Sequence, residues 1–221
     1  VTDGLLTAAG TYTATIAQIA GKNYTFADVT VQIEIVKATQ DALKITGKPA
    51  QVYYGDIVTL DTIGGSGDGT VTWSITKGDS IAAIDADTGV LTVNHVGDVT
   101  VKAERVVPNY GTVSDTWSFT AKPKPVTAVV TADDKVYNGD KHAAIHVAWE
   151  DGALLGTDSI NTSGLSGEFA DENAGMNKTV HITGGPVISD KYAVTIPATT
   201  TASIFKADTT APSLTAKDRE Y

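Results

Sequence analysis

Apolar side chains fall on every second position over long stretches of this chain. In Thr11-Tyr12-Thr13-Ala14-Thr15-Ile16, and again in Val29, Val31, Ile33 and Ile35 with Thr30, Gln32 and Glu34 between them, one face is apolar and the other polar. The same alternation runs through Val71, Trp73 and Ile75, through Val99, Val101 and Ala103, and through Trp117, Phe119 and Ala121. A period of two predicts half-buried strands, with one face to a core and one to water. Between the runs lie clusters that favour turns: Gly64-Gly65-Ser66-Gly67-Asp68-Gly69, Lys77-Gly78-Asp79, Asp85-Ala86-Asp87-Thr88-Gly89 and Thr183-Gly184-Gly185-Pro186. Glycine supplies positive φ there, and Asx side chains bond to their own backbone. Many short strands with regular turns predict an all-β sandwich. No segment reads as a convincing helix.

The pattern repeats. Tyr53, Tyr137 and Tyr221 are 84 residues apart, and Val52-Tyr53-Tyr54-Gly55-Asp56 matches Val136-Tyr137-Asn138-Gly139-Asp140. Ala132–Tyr137 aligns with Ala216–Tyr221 without a gap. At the closing end, Lys37, Lys122 and Lys206 each finish a strand-like run that starts near a tyrosine, at Asn23-Tyr24, Asn109-Tyr110 and Lys191-Tyr192. A preceding run follows Gly10, Gly97 and Gly175. A fixed period marks an array, and here the unit has the size of one small domain. The expected organisation is the tail of a repeat at 1–38, whole repeats at 39–122 and 123–207, and the head of another at 208–221. Lys122-Pro123-Lys124-Pro125 reads as a semi-rigid extended connector, because two prolines fix φ and disfavour helix; Ala211-Pro212 sits at the equivalent place downstream. The tail, lacking its own head, is expected to dock on the first whole repeat or to pair with another molecule, since open strand edges invite pairing.

Composition narrows the setting. The chain has no cysteine, so no disulfide framework holds it. Its 33 threonines suit pleated, half-solvated surfaces, as expected of an exported bacterial protein. The net charge of −10 makes nucleic acid and anionic membrane poor partners. No apolar run approaches membrane-spanning length, so no membrane insertion is expected in this segment.

Residues 53–103 resemble a bacterial immunoglobulin-like domain of the group 2 type found in surface adhesins. The carrying pieces are Thr72-Trp73-Ser74, Ala83-Ile84-Asp85, Thr88-Gly89-Val90, and Gly97 followed by Val99-Thr100-Val101. The second repeat resembles the YDG-type repeat of bacterial surface proteins, through Lys135-Val136-Tyr137-Asn138-Gly139-Asp140, the run Gly167–Gly175, and Lys178-Thr179-Val180. It departs in having Asn138 where that repeat usually has Asp, a change that keeps the turn chemistry. The resemblance implies tandem immunoglobulin-like β-sandwich domains in an extended array, extracellular and on a bacterial cell surface, acting as non-catalytic spacer or adhesion modules.

Candidate chemistry is sparse. Asp85 with Asp87, and Asp171 with Glu172, offer carboxylate oxygens suited to Ca²⁺, but neither turn has a calcium loop's ligand count, and Asx capping explains both. His142 and His146 stand four apart on an alternating run, about 13 Å from one another, too far to share an ion. No nucleophile elbow, phosphate loop or histidine cluster is present, so no catalytic residue and no cofactor are assigned. No motif for a lysine–asparagine or lysine–aspartate cross-link is legible. Tyr53, Tyr54, Tyr110 and Tyr137 are the residues on which a glycan would stack. The expected function is therefore a stalk or a multivalent contact surface whose partners are neighbouring repeats and a host glycan or protein. The alternatives are a glycan- or glycoprotein-binding module and an accessory region of a large secreted carbohydrate-active enzyme.

Overall fold

The computed structural model describes residues 6–17, 27–185 and 187–209. Asn23-Tyr24, Pro186, Ala211-Pro212 and the third head motif ending at Tyr221 lie outside these residues. The chain divides into two compact units, Val1–Lys122 and Pro123–Tyr221. Among the described residues every regular element is a β-strand, and no helix is long and apolar enough to cross a membrane.

The first unit opens with β1 (Gly10–Ile16) and β2 (Val29–Ile35), an antiparallel pair in which Tyr12 faces Ile33 and Ala14 faces Val31. A sandwich follows: β3 (Lys44–Thr46), β4 (Val52–Tyr53), β5 (Ile57–Thr59), β6 (Asp61–Ile63), β7 (Thr70–Lys77), β8 (Ala82–Ile84), β9 (Val90–Val93), β10 (Gly97–Val106) and β11 (Val113–Lys122). One layer has the order β4-β11-β10-β7. In the other, β3 pairs with β6, and β5 pairs with β9, which pairs with β8. β5 and β6 are one strand interrupted at Leu60, so this side is also a single layer. The opening segment thus contributes β3 to one sheet and crosses over to lie as β4 parallel to the closing strand β11. These orders are those of the immunoglobulin-like sandwich. The alternating residues fill its interior: Val99, Val101 and Ala103 of β10 meet Leu43, Ile45, Leu60, Trp73 and Leu91, and all are buried. Glycines sit where backbones close on one another. At Gly78, φ is +87° and an added Cβ would lie 2.3 Å from the Asp98 carbonyl, which explains why this turn tolerates no side chain.

The second unit contains β12 (Lys124–Ala132), β13 (Lys135–Val136), β14 (His142–Ala143), β15 (Ile145–Trp149), β16 (Leu165–Phe169), β17 (Gly175–Gly184), β18 (Tyr192–Thr195) and β19 (Thr199–Phe205). Its sheets have the orders β15-β12-β18 and β13-β19-β17-β16-β14. Ala143, Phe169, Val180, Ala202 and Ile204 form the core. The connector read at residues 122–125 is shorter than expected: Lys122 ends β11, and Lys124 and Pro125 already belong to β12. Pro125 is tolerated because β12 is paired there only with β18, while β15 joins further along, at Ala128–Ala132; the missing N–H falls on the open side.

Candidate contact surfaces

The head motifs place their strands alike in both units. Val52 pairs in parallel with Ala121, and Val136 pairs in parallel with Phe205. Each member of the second pair is 84 residues beyond its counterpart, so the sequence period is a period of pairing register. Backbone bonds extend both ladders: Tyr54 N–H donates to the Lys122 carbonyl and Tyr137 N–H to the Phe205 carbonyl, each at 2.8 Å. Asp56 closes the turn of the first motif by accepting the Tyr53 N–H at 2.8 Å. In the second, Asp140 accepts from the His142 N–H and from Lys135, the latter at 2.6 Å, and Lys135 lies over the Phe169 ring. The Lys135 hydrogen bond is the main reason the Asp140 carboxyl titrates below its ordinary value.

The four tyrosines do not assemble into one aromatic platform. Tyr54 is buried. Tyr53 is half-buried and donates its hydroxyl to Gln51 at 2.6 Å. Tyr110 is half-buried beside the Gly67 loop and bridges Ala38. Tyr53 and Tyr110 lie near opposite ends of β11, a ten-residue strand that spans about 30 Å. Tyr137, in the second unit, is exposed.

The acidic turns are occupied by the protein's own donors. Asp85 Oδ1 accepts the Asp87 N–H at 3.1 Å, the Thr88 N–H at 2.8 Å and the Thr88 hydroxyl at 2.7 Å. The Thr88 hydroxyl is the largest cause of the lowered Asp85 pKa. Asp171 Oδ1 accepts from Lys178 at 2.5 Å and from the Asn173 N–H at 2.8 Å, and Lys178 above all lowers its pKa. Glu172 is half-buried beside it. Among the described residues no three His, Asp or Glu side chains come together as a metal site. The two histidines part company: β14, with His142, joins β16, whereas β15, with His146, joins β12. His146 Nε2 contacts the Asp133 carboxylate at 2.9 Å.

Two features escape a reading by period alone. The first is a groove of about 360 Å³ between Pro49–Val52 and β11, lined by Trp117 and Phe119. Their rings stack with centroids 4.4 Å apart. They alternate inward like core residues, but β11 is an edge strand over most of its length, so they remain half-exposed. The second is a polar knot at the other end of this sandwich. Buried Gln40 donates to the Gly111 carbonyl at 2.6 Å and accepts the Ser66 N–H at 3.3 Å. Arg105 donates to the Gly67 carbonyl at 2.6 Å. The glycine-rich cluster at 64–69, read from sequence as a turn, is therefore tied down at Ser66 and Gly67.

Residues 122–203 match the YDG domain family model, over the segment where the sequence motifs resembled that repeat. No curated protein matches the chain. Similar solved structures include surface layer protein SbsC, domains 1-6 (12% identity, 94% of this chain and 36% of that one, TM-score 0.32). Another is the N-terminal eight Ig domains of Down Syndrome Cell Adhesion Molecule (13% identity, 91% and 28% covered, TM-score 0.36). A third is mouse Cadherin-23 EC22-24 (14% identity, 90% and 74% covered, TM-score 0.30). The chain spans about a third of the surface layer protein chain it aligns with.

Proposed function

We propose that this chain is a non-catalytic, force-carrying spacer in the tandem-repeat region of a bacterial cell-surface protein. In this reading the first unit is a group 2-like immunoglobulin domain, the second a YDG repeat, and both work outside the cell. The observation that carries the proposal is the parallel pairing of opening and closing strands, Val52 with Ala121 and Val136 with Phe205. When two parallel strands at the ends of a unit are pulled apart through the chain, their hydrogen bonds are loaded together in shear rather than broken one by one. A unit built this way resists tension along the chain, which is what a stalk requires. Repetition also multiplies weak lateral contacts into avidity. Pulling single molecules by their ends tests the idea. Two separate unfolding events are expected, each releasing about 300 Å of chain; smooth extension without such events would contradict it.

The alternative is a glycan- or glycoprotein-binding module, favoured by the Trp117–Phe119 groove, where Gln51 and Lys122 border stacked rings. A sugar ring lying on Trp117 would change its fluorescence. Titration with a panel of host-type oligosaccharides, with Trp117→Ala as control, decides between this and a purely mechanical role.

A further inference from the structure

Asn138-Gly139 is the one Asn-Gly step in the sequence; every other asparagine is followed by Tyr, His, Thr, Ala or Lys. It lies in the turn that leaves β13, and both residues are exposed. Gly139 has φ +78°, and a Cβ added there would meet nothing within 4 Å. No side chain screens the Gly139 nitrogen, and the space beside that residue is open to water. The Asn138 side chain folds back along the same turn. Its Oδ1 accepts the Asp140 N–H at 3.3 Å, and its Nδ2 donates to Asp140 Oδ2 at 2.7 Å. An Asx side chain bonded this way lies along the backbone of the next two residues, which keeps Cγ beside the Gly139 nitrogen. The amine in this network is disarmed. Lys135 Nζ donates to the Asp140 carbonyl at 2.8 Å, to Asp140 Oδ1 at 2.6 Å and to the His142 carbonyl at 2.9 Å. Three bonds use all three donors of an ammonium, which has no lone pair to offer.

We infer that Asn138 is a self-modification site: the Gly139 nitrogen displaces the Asn138 side-chain amide, and the product loosens the turn that anchors β13. The Gly139 N–H gives its proton to a solvent base, and the nitrogen bonds to Cγ of Asn138. The Cγ–Nδ2 bond breaks, and Nδ2 takes a proton from water and leaves as ammonia. Water then opens the cyclic imide. Attack at Cγ gives aspartate at position 138. Attack at the backbone carbonyl gives an isoaspartyl link, in which the main chain runs through Cβ and Cγ and is one carbon longer. No electron is transferred, and water is the only co-reactant.

Either product removes the Nδ2 donor and puts a second carboxylate into the turn with Asp140, in a chain already at −10. Like charges this close repel, so the contacts of Asp140 with Lys135 and His142 are weakened. The isoaspartyl link also displaces the backbone next to Tyr137, whose N–H donates to the Phe205 carbonyl. The first unit has no such site at the equivalent place, where Tyr54-Gly55 stands. The chemistry is the same whether or not the unit carries load.

The full chain is held in warm, mildly alkaline buffer made with heavy-oxygen water and sampled by peptide mapping. Freshly prepared chain starts at the mass of the bare sequence. The peptide holding Asn138 should then gain the mass of an amide-to-acid change carrying one heavy oxygen, in aspartyl and isoaspartyl forms. Its rate should lie within about ten-fold of that of a free peptide of residues 134–142, because the turn is open in the folded chain. Asn138→Gln and Gly139→Ala should each slow the gain about ten-fold or more, since one enlarges the ring to be closed and the other screens the attacking nitrogen. In the converted chain the Tyr137 amide should exchange with solvent about ten-fold faster than in the fresh chain. A folded chain that converts far more slowly than the free peptide, equal conversion of the Gly139→Ala chain, or unchanged exchange at Tyr137 would each overturn the proposal.

Discussion

The Asn109 side-chain oxygen accepts the Ala9 N–H at 2.7 Å, although the two residues are 100 positions apart. The same side chain donates its Nδ2 to the Thr7 carbonyl at 3.0 Å. One amide thus clasps the segment leading into β1 from both sides. Asn109 holds a left-handed backbone, φ 66°, a conformation that Asn adopts more readily than most residues. Its carbonyl accepts the Ala38 N–H at 2.8 Å. A single residue between β10 and β11 therefore holds the β1–β2 hairpin by both its entry and its exit.

Replacing Asn109 by Gly keeps the backbone conformation and removes the clasp. The expected effect is local. Each lost hydrogen bond is worth about 1 kcal/mol, so the core of the first unit should keep its stability. The hairpin, however, should tumble more independently. Amide relaxation of β1 and β2 compared with β10 checks this; unchanged relaxation would show that Ala38 alone fixes the hairpin.

Phe169 is 1% exposed and anchors the core of the second unit. Phe169→Ala should cost about 3–5 kcal/mol, through lost burial and the cavity left behind. Chemical denaturation followed on that unit's signals measures it. A cost below 1 kcal/mol would mean that the core collapses around the gap.

Asp115 accepts the Ile45 N–H at 2.8 Å and so ties β3 to β11. That bond is the first cause of its pKa falling below the ordinary 3.8, with partial burial opposing it. A carboxyl with a depressed folded-state pKa contributes stability that is fully present above its unfolded value and lost as pH falls through its folded one. Asp85, Asp98, Asp140 and Asp171 shift in the same direction. Stability should be flat near neutrality and fall only below about pH 4. Asp115→Asn should blunt part of that fall. A decline beginning near pH 6 would point to histidine instead.

Lys178 and Asp171 meet at 2.5 Å, and Lys178 keeps the carboxyl ionised. An ionised carboxylate is a poor target for amide formation, so this contact should stay an ion pair. Intact mass spectrometry should return the mass of the bare sequence. A chain lighter by one water would reveal a covalent cross-link.

Much of this fold is legible in the sequence because a period of two fixes which side chains face inward. Val99, Val101, Ala103 and Trp73 are buried as the alternation says. Asp85 and Gly89 build the turn their types suggest, with the Gly89 N–H donating to the Asp85 carbonyl at 3.1 Å. Alternation does not say which strand lies alongside. Residues 142–149 read as one run but split between two sheets at Ala144. The parallel pairing of β12 with β18 joins segments some 68 residues apart and has no local signal. The tyrosines illustrate the same limit. Their spacing marks equivalent places in the repeat, yet Tyr53 is half-buried and its counterpart Tyr137 exposed, because burial depends on what packs above them. Gln40, the Asn109 clasp and the Trp117–Phe119 groove are long-range pairings of ordinary residues, so nothing in the local sequence singles them out.

The central claim is that these units resist force along the chain because opening and closing strands are sheared. It is tested most directly by changing the direction of pull. With cysteines placed by design, one unit is stretched first between its two ends and then between its opening end and the turn at Gly97. The account predicts a clearly higher unfolding force in the first geometry, and loss of that excess when Val52→Pro or Val136→Pro disrupts the parallel pair. Equal forces in both directions, or no effect of the prolines, would contradict it.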